Sequence, residues 1–272
     1  MKKQKESKRA LETKTVIPLT LITFAITWGI ALLFILFYDQ MESLFGEIGY
    51  TNPMYILAVY APAIAAFILV LKYHGIKGLV RFLKRLTIWR MSSGWWVFLI
   101  IGVPGLFYLA ALIEGTYGDA FPFSPWDTAL SALVIMLLLG PVEEFGWRGF
   151  MLPLLQRKYT PLVTSIIIGV IWGIWHFPAF VIGGTPHSEW VFLEFFVAAI
   201  ALSIIMTAMF NATKGSILML ALLHFQLNNP VWPDAQRFAT IVFALAAIVI
   251  FYLYRKSMLQ KNDVVVDVLY MD

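Results

Sequence analysis

Apolar runs of about twenty residues alternate with short polar segments along this chain. A helix rising about 1.5 Å per residue needs a run of that length to cross a hydrocarbon core about 30 Å thick. Eight such runs are read, at 16–38, 54–73, 95–113, 128–150, 161–182, 190–210, 215–229 and 237–254. The seventh is short. It follows Lys214, Gly215 and Ser216 and stops before Asn229 and Pro230, which predicts a tilted or incompletely spanning helix. The first run follows a basic segment, MKKQKESKRALETK, as in a secretory signal. It is longer than the roughly 7–15 apolar residues of such a signal, and no small-residue cleavage site follows. We read it as a retained first span. The pattern therefore predicts an all-α, polytopic membrane protein of about eight transmembrane helices.

Composition agrees. Of 272 residues, 60% are hydrophobic and 13% charged, against about 25% charged in a soluble domain. The absence of cysteine excludes disulfides, thiol chemistry, Cys-ligated zinc and Fe–S clusters. The net charge is +4, but the cations flank the spans, so the partner they suit is the lipid bilayer and not nucleic acid.

Lys and Arg also set orientation. Lys2, Lys3, Lys5, Lys8, Arg9 and Lys14 precede the first span. Lys72, Lys77, Arg81, Lys84, Arg85 and Arg90 follow the second, Arg157 and Lys158 the fourth, Lys214 the sixth, and Arg255, Lys256 and Lys261 the eighth. The alternate loops carry Asp39, Glu42, Glu47, Glu114, Asp119, Asp127, Glu189 and Asp234, with Arg237 the lone cation. This alternation requires an even number of spans and predicts a plasma-membrane protein with both termini cytoplasmic. It divides the chain into a cytoplasmic basic tail (1–15), helices 1–3 with a basic loop (16–126), a core of helices 4–8 (127–254) and a cytoplasmic tail (255–272). In the basic loop, Leu79, Phe82, Leu83, Leu86 and Ile88 alternate with cations at roughly helical spacing. Two readings stand: an amphipathic helix lying on anionic lipid, or an ordinary positive-inside loop.

Three apolar spans carry polar pairs four residues apart: Glu144/Arg148, Trp172/His176 and His224/Asn228. That spacing puts each pair on one helix face. An ionised side chain at mid-bilayer costs about 2.5–3.5 kcal/mol on insertion scales, so three such helices are expected to converge on one site buried in the bundle. Pro141 cannot donate to the carbonyl of Leu137, which predicts a kink just before Glu143. Glu144 has Arg148 to neutralise it. Glu143, on a neighbouring face, has no cation at helical spacing, which suits a proton acceptor. Structural alternatives exist for each pair: an ion pair locking two helices, a core histidine oriented by Trp172, and His–Asn contacts between helices. Glu194 is read as interfacial, and His74 and His187, in loops, receive no role.

The segments EEFGWR, WGIWH and HFQLN resemble the three motifs of the CPBP family, the type II CAAX-prenyl-endopeptidase and bacteriocin-processing intramembrane proteases also called Abi. The family pattern is Glu-Glu-x-x-x-Arg, then Phe-x-x-x-His, then His-x-x-x-Asn/Asp. Glu143, Glu144, Arg148, His176, His224 and Asn228 match, and Trp172 stands where the family commonly has Phe. The resemblance implies that Glu143 activates water, that His176 helps hold it, and that His224 and Asn228 form an oxyanion hole. Glu144 and Arg148 would hold the geometry. The family's metal requirement is disputed. Glu143, His176 and His224 could supply a three-ligand open zinc site, yet the H-E-x-x-H arrangement is absent. The expectation is a glutamate-activated water with no obligatory cofactor, and zinc as the alternative.

These readings predict an intramembrane endopeptidase that cleaves a hydrophobic or lipid-tethered peptide or protein near the cytoplasmic side. Prenylated CAAX proteins and bacteriocin precursors are the substrates the resemblance implies. Two alternatives remain: a non-catalytic immunity or scaffold protein, and a proton-coupled transporter with Glu143, His176 and His224 as a relay. Against the transporter, there is no duplicated half. One mismatch is evident. Glu143 falls near the cytoplasmic end of helix 4, whereas His176 falls about 20 Å deep in helix 5, which predicts a recessed cleft around 157–160. Orientation is directly testable. Cysteines introduced at Glu47, Ser124 and Ser188 should react with an impermeant maleimide added to intact cells, and cysteines at Ser7 and Ser257 should react only after permeabilisation. External labelling at Ser257 would refute the even-span topology.

Overall fold

The computed structural model describes residues 11–119, 123, 126–233 and 235–270. The basic tail up to Ala10 and Asp234 lie outside the described residues. Among the described residues, seven helices are long and apolar enough to cross a membrane: α1 (Thr13–Leu36), α2 (Pro53–Thr87), α3 (Ser93–Glu114), α4 (Asp127–Gln156), α5 (Pro161–Val181), α6 (Phe192–Ala212) and, last in the chain, the helix over Arg237–Leu259. A shorter apolar helix, α7 (Ile217–Leu227), precedes that last one, which is therefore α8. The architecture is that of an all-α polytopic membrane protein, and the short seventh run is an eleven-residue helix.

Local chemistry sets the helix starts. Asn52 accepts from the amides of Met54 and Tyr55 ahead of Pro53, and Ser216 accepts from the amide of Met219. The outer surface of the bundle is apolar, with Leu21, Ile101, Leu130, Leu245 and Leu253 exposed, as a lipid-facing surface requires. Small residues let helices meet inside. A Cβ on Gly146 would lie 2.6 Å from the carbonyl oxygen of Pro62, where α4 crosses α2. One on Gly169 would lie 2.6 Å from the Cα of Ile200, where α5 packs on α6.

Two helices depart from the expected boundaries. The apolar run read as ending at 150 continues through Pro153 to Gln156. Glu143 is therefore thirteen residues from the end of α4, or about 20 Å, and His176 is fifteen residues, or about 22 Å, from the start of α5. The two depths now agree, and the recessed cleft expected at 157–160 is not needed. The basic loop after the second span is also largely helical. Gly75, at φ +64°, breaks α2, and the helix resumes with Gly78 and Phe82 turned into the bundle and Arg85 buried. Leu79, Phe82 and Leu86 of this segment pack against the bundle core.

After α8 the chain returns across this cation-rich face as an extended strap, 264–270. Buried Arg85 donates to the carbonyls of Val268 and Gly215 at 2.8 Å each, and also to that of Asp267. Arg81 donates to Tyr270, Gln156 to Val265 and Arg157 to Val266. The strap ties α2, α4 and the α6–α7 turn together. Arg85→Ala should remove three charge-assisted bonds and leave buried carbonyls unpaired, lowering stability by about 3 kcal/mol or more. A thermal melt in detergent checks this, and an unchanged midpoint would show that the strap does not brace the bundle.

Candidate active site

The site is built on an irregular stretch of α4. Regular helix ends at Leu139, a 3₁₀ turn covers Gly140–Glu143, and a wide π-helical stretch covers Phe145–Met151. Pro141, which has no N–H to donate, sits in the tight turn. The expected kink is thus a tightening followed by a widening. It presents Glu143 and Glu144 side by side in the bundle interior, 4% and 0% exposed.

The two carboxylates have different partners. Glu144 Oε1 accepts from Arg148 Nη1 at 3.0 Å and lies 2.6 Å from His224 Nδ1. It therefore joins α4 to α7. Arg148 also donates from Nη2 to Ser203 Oγ of α6 at 2.9 Å, and its guanidinium lies over the Trp172 ring, 4.5 Å from the centroid. Among the described residues, Glu143 has no cation bonded to it. Its Oε2 accepts the indole N–H of Trp172 at 2.7 Å and that of Trp147 at 3.3 Å.

Trp172 is more than packing. Its indole bonds Glu143, and its backbone carbonyl lies 2.8 Å from His176 Nδ1. A carbonyl only accepts, so Nδ1 carries the proton and Nε2 keeps a lone pair. One residue thus fixes both the carboxylate and the tautomer of the histidine. A phenylalanine could not make the first of these bonds.

Asn228 and His224 meet α4 at Gly140. A Cβ on Gly140 would lie 2.0 Å from Asn228 Nδ2 and 3.0 Å from His224 Nε2. The missing side chain lets both polar groups close on the helix beside Glu143. Glu143, Trp172, His176, His224 and Asn228 all line one cavity of about 780 Å³, within the usual range for ligand pockets. Glu144 and Arg148 stand behind its wall.

His187, expected to be idle in its loop, also lines this cavity. Its ring centroid is 5.5 Å from that of His176, and it packs on Trp190 and Phe195. Its Nδ1 is buried without a hydrogen-bond partner among the described residues. Burial holds its pKa down to about 4, so the ring is neutral at pH 7. Sequence spacing could not show this contact, nor the roles of Trp147, Gly140 and Ser203. Only Ser203, a hydroxyl within an apolar span, gave a signal.

Among the described residues, no three His, Cys, Asp or Glu side chains are grouped so as to hold a metal ion. Glu143, His176 and His224, the set the zinc alternative would use, share the cavity wall.

Residues 125–229 match the family model for Rce1-like type II CAAX prenyl endopeptidases. A CAAX prenyl protease 2 from Methanococcus maripaludis is 29% identical over 175 residues, which are 57% of this chain and 64% of that protein. Lysostaphin resistance protein A from Staphylococcus haemolyticus is 29% identical over 122 residues, 43% of this chain and 32% of that protein. Its Staphylococcus aureus counterpart is 28% identical over 183 residues, 64% of this chain and 41% of that protein. The chain thus spans less than two thirds of the length of each relative.

The buried charges make a stability test. Arg148→Ala strands Glu144 without its guanidinium and should cost about 3–5 kcal/mol. Arg148→Lys should recover only part of this, because one ammonium cannot reproduce the forked contact to both Glu144 and Ser203. Melting temperatures of the two variants in detergent check the order.

Proposed function

With residues 125–229 belonging to the Rce1-like CAAX-protease family, we propose that this chain is an intramembrane endopeptidase in the plasma membrane, with both termini cytoplasmic. It hydrolyses a peptide bond in a hydrophobic or lipid-tethered peptide or protein by means of a glutamate-activated water. The observation that carries this reading is Glu143 itself: a buried carboxylate on a cavity wall, held by two indoles and paired with no cation.

Both indoles bond Oε2, so Oε1 is left to take a proton from water, whose oxygen attacks the scissile carbonyl carbon. The Nε2 lone pair of His176 accepts the water's other hydrogen and orients it. The C=O π bond opens as the new C–O bond forms, and the negative charge goes to the carbonyl oxygen. Asn228 Nδ2 donates to that oxygen. His224 also donates, from Nε2, when it is an imidazolium whose Nδ1–H bonds Glu144. Two carboxylates against Arg148 and His224 then leave the site neutral. Collapse breaks the C–N bond, and Glu143 returns its proton to the departing amine. None of these steps needs a metal ligand.

Glu143→Gln should abolish cleavage in a folded protein. Asn228→Ala removes a donor to charge present only in the transition state, so kcat should fall about 10²–10³-fold with KM little changed. Trp172→Phe removes one bond to an ionised carboxylate and should lower turnover about tenfold or more. Single-turnover assays of the reconstituted variants on a fluorogenic apolar peptide check all three. An active Glu143→Gln protein would favour an immunity or scaffold role. Stoichiometric zinc, lost with activity in His224→Ala, would replace the oxyanion role of His224 with metal ligation.

A further inference from the structure

The cavity reaches the connections at one end of the bundle. Besides the polar groups at its floor, it is lined by Ile48 and Tyr50 before α2, Phe123 before α4, His187 and Trp190 between α5 and α6, and Trp232 before α8. All belong to the set of connections that carries exposed Glu47, Asp119 and Glu189. Among the described residues, the one Lys or Arg near this end, Arg237 at the start of α8, has its Nε 3.8 Å from Glu194 Oε1.

The opposite end is closed. No described residue of 72–90, 157–160, 213–216 or 255–270 lines the cavity. Below Glu143 the bundle is filled by Trp147, Phe150, Met151 and Leu154, all without solvent exposure. Across that packing runs the strap, held by Arg81, Arg85, Gln156 and Arg157. Arg157 also donates to the carbonyl of Leu11, which brings the start of the described chain to the same face. This face holds nearly all the cations among the described residues, and cation-rich loops stay cytoplasmic.

We infer that the active site is loaded from the extracytoplasmic face, and that its substrate is an apolar peptide segment presented on that side of the membrane. The inference rests on the endopeptidase reading for its chemistry, but the direction of access stands on the cavity and the charge distribution. It reverses the cytoplasmic-side cleavage expected from the sequence. A lipidated tail displayed in the cytoplasm would meet the strap and the packed core beneath it. A membrane-inserted precursor whose end emerges outside would meet the open mouth between His187, Trp190 and Trp232.

The chain has no native cysteine, so single probes report unambiguously. Ala132 of α4 and Ala198 of α6 both line the cavity. Ala132→Cys and Ala198→Cys should react with an impermeant maleimide in intact cells, at rates little changed by permeabilisation. Labelling of both only after permeabilisation, in proteins that fold and insert, would overturn the inference. The readout needs no turnover, so it fails separately from the protease reading, which Glu143→Gln tests. For the substrate, peptides released in wild-type but not Glu143→Gln cells should accumulate in the medium. Glu143-dependent fragments confined to the cytoplasm would overturn the assignment of substrate side.

Discussion

Everything in this bundle is arranged around the neutralisation of one buried carboxylate. Glu144 is fully buried and bonded to Arg148 of its own helix and His224 of α7. Removing Arg148 or Glu144 leaves the other charge unpaired in low dielectric, which costs far more than the pair contributes. The triad therefore fixes how α4, α6 and α7 sit against one another, because Arg148 reaches Ser203 as well. It also frees Glu143. With Arg148 and His224 committed to Glu144, its neighbour is held by neutral indole donors, which position a carboxylate without occupying it as a counter-ion would.

The helices were largely legible from the sequence, since a bilayer leaves few ways to satisfy a backbone. The site was partly legible for the same reason: polar groups at helical spacing in apolar runs demand a common destination. What escaped was whatever depends on contacts between helices. Trp172 reads as packing because an i,i+4 pattern sees only its own helix, whereas its N–H bonds a carboxylate on α4. Gly140 carries no signal by itself. Its meaning is the space it leaves for Asn228 and His224. His187 reads as a loop residue, but the loop lines the cavity and brings the ring to His176.

Depth was misjudged for a definable reason. Ending α4 at 150 put Glu143 near a surface and created a conflict with His176. Pro153 is tolerated because it falls in the first turn of the regular helix that follows the π-helical stretch, where an absent N–H costs least. With six more residues in the helix, the conflict disappears. The basic segment at the end of α2 reads as either a lipid-facing helix or an ordinary loop. Its amphipathic pattern is real, but the break at Gly75 turns its apolar face toward the protein.

The π-helical stretch at Phe145–Met151 has a consequence of its own. A wide turn that follows a tight one shifts the phase of the second half of α4 relative to an uninterrupted helix. Glu143 and Glu144 thereby face the cavity and α7, while Gly146 lies against Pro62 of α2 and Gly149 between Phe82 of α2 and Ile217 of α7. The arrangement is thus encoded in the length of this stretch as much as in its residues. Across homologues, gaps should be absent from it even where side chains drift, because losing one position would rotate the carboxylates off the other helices.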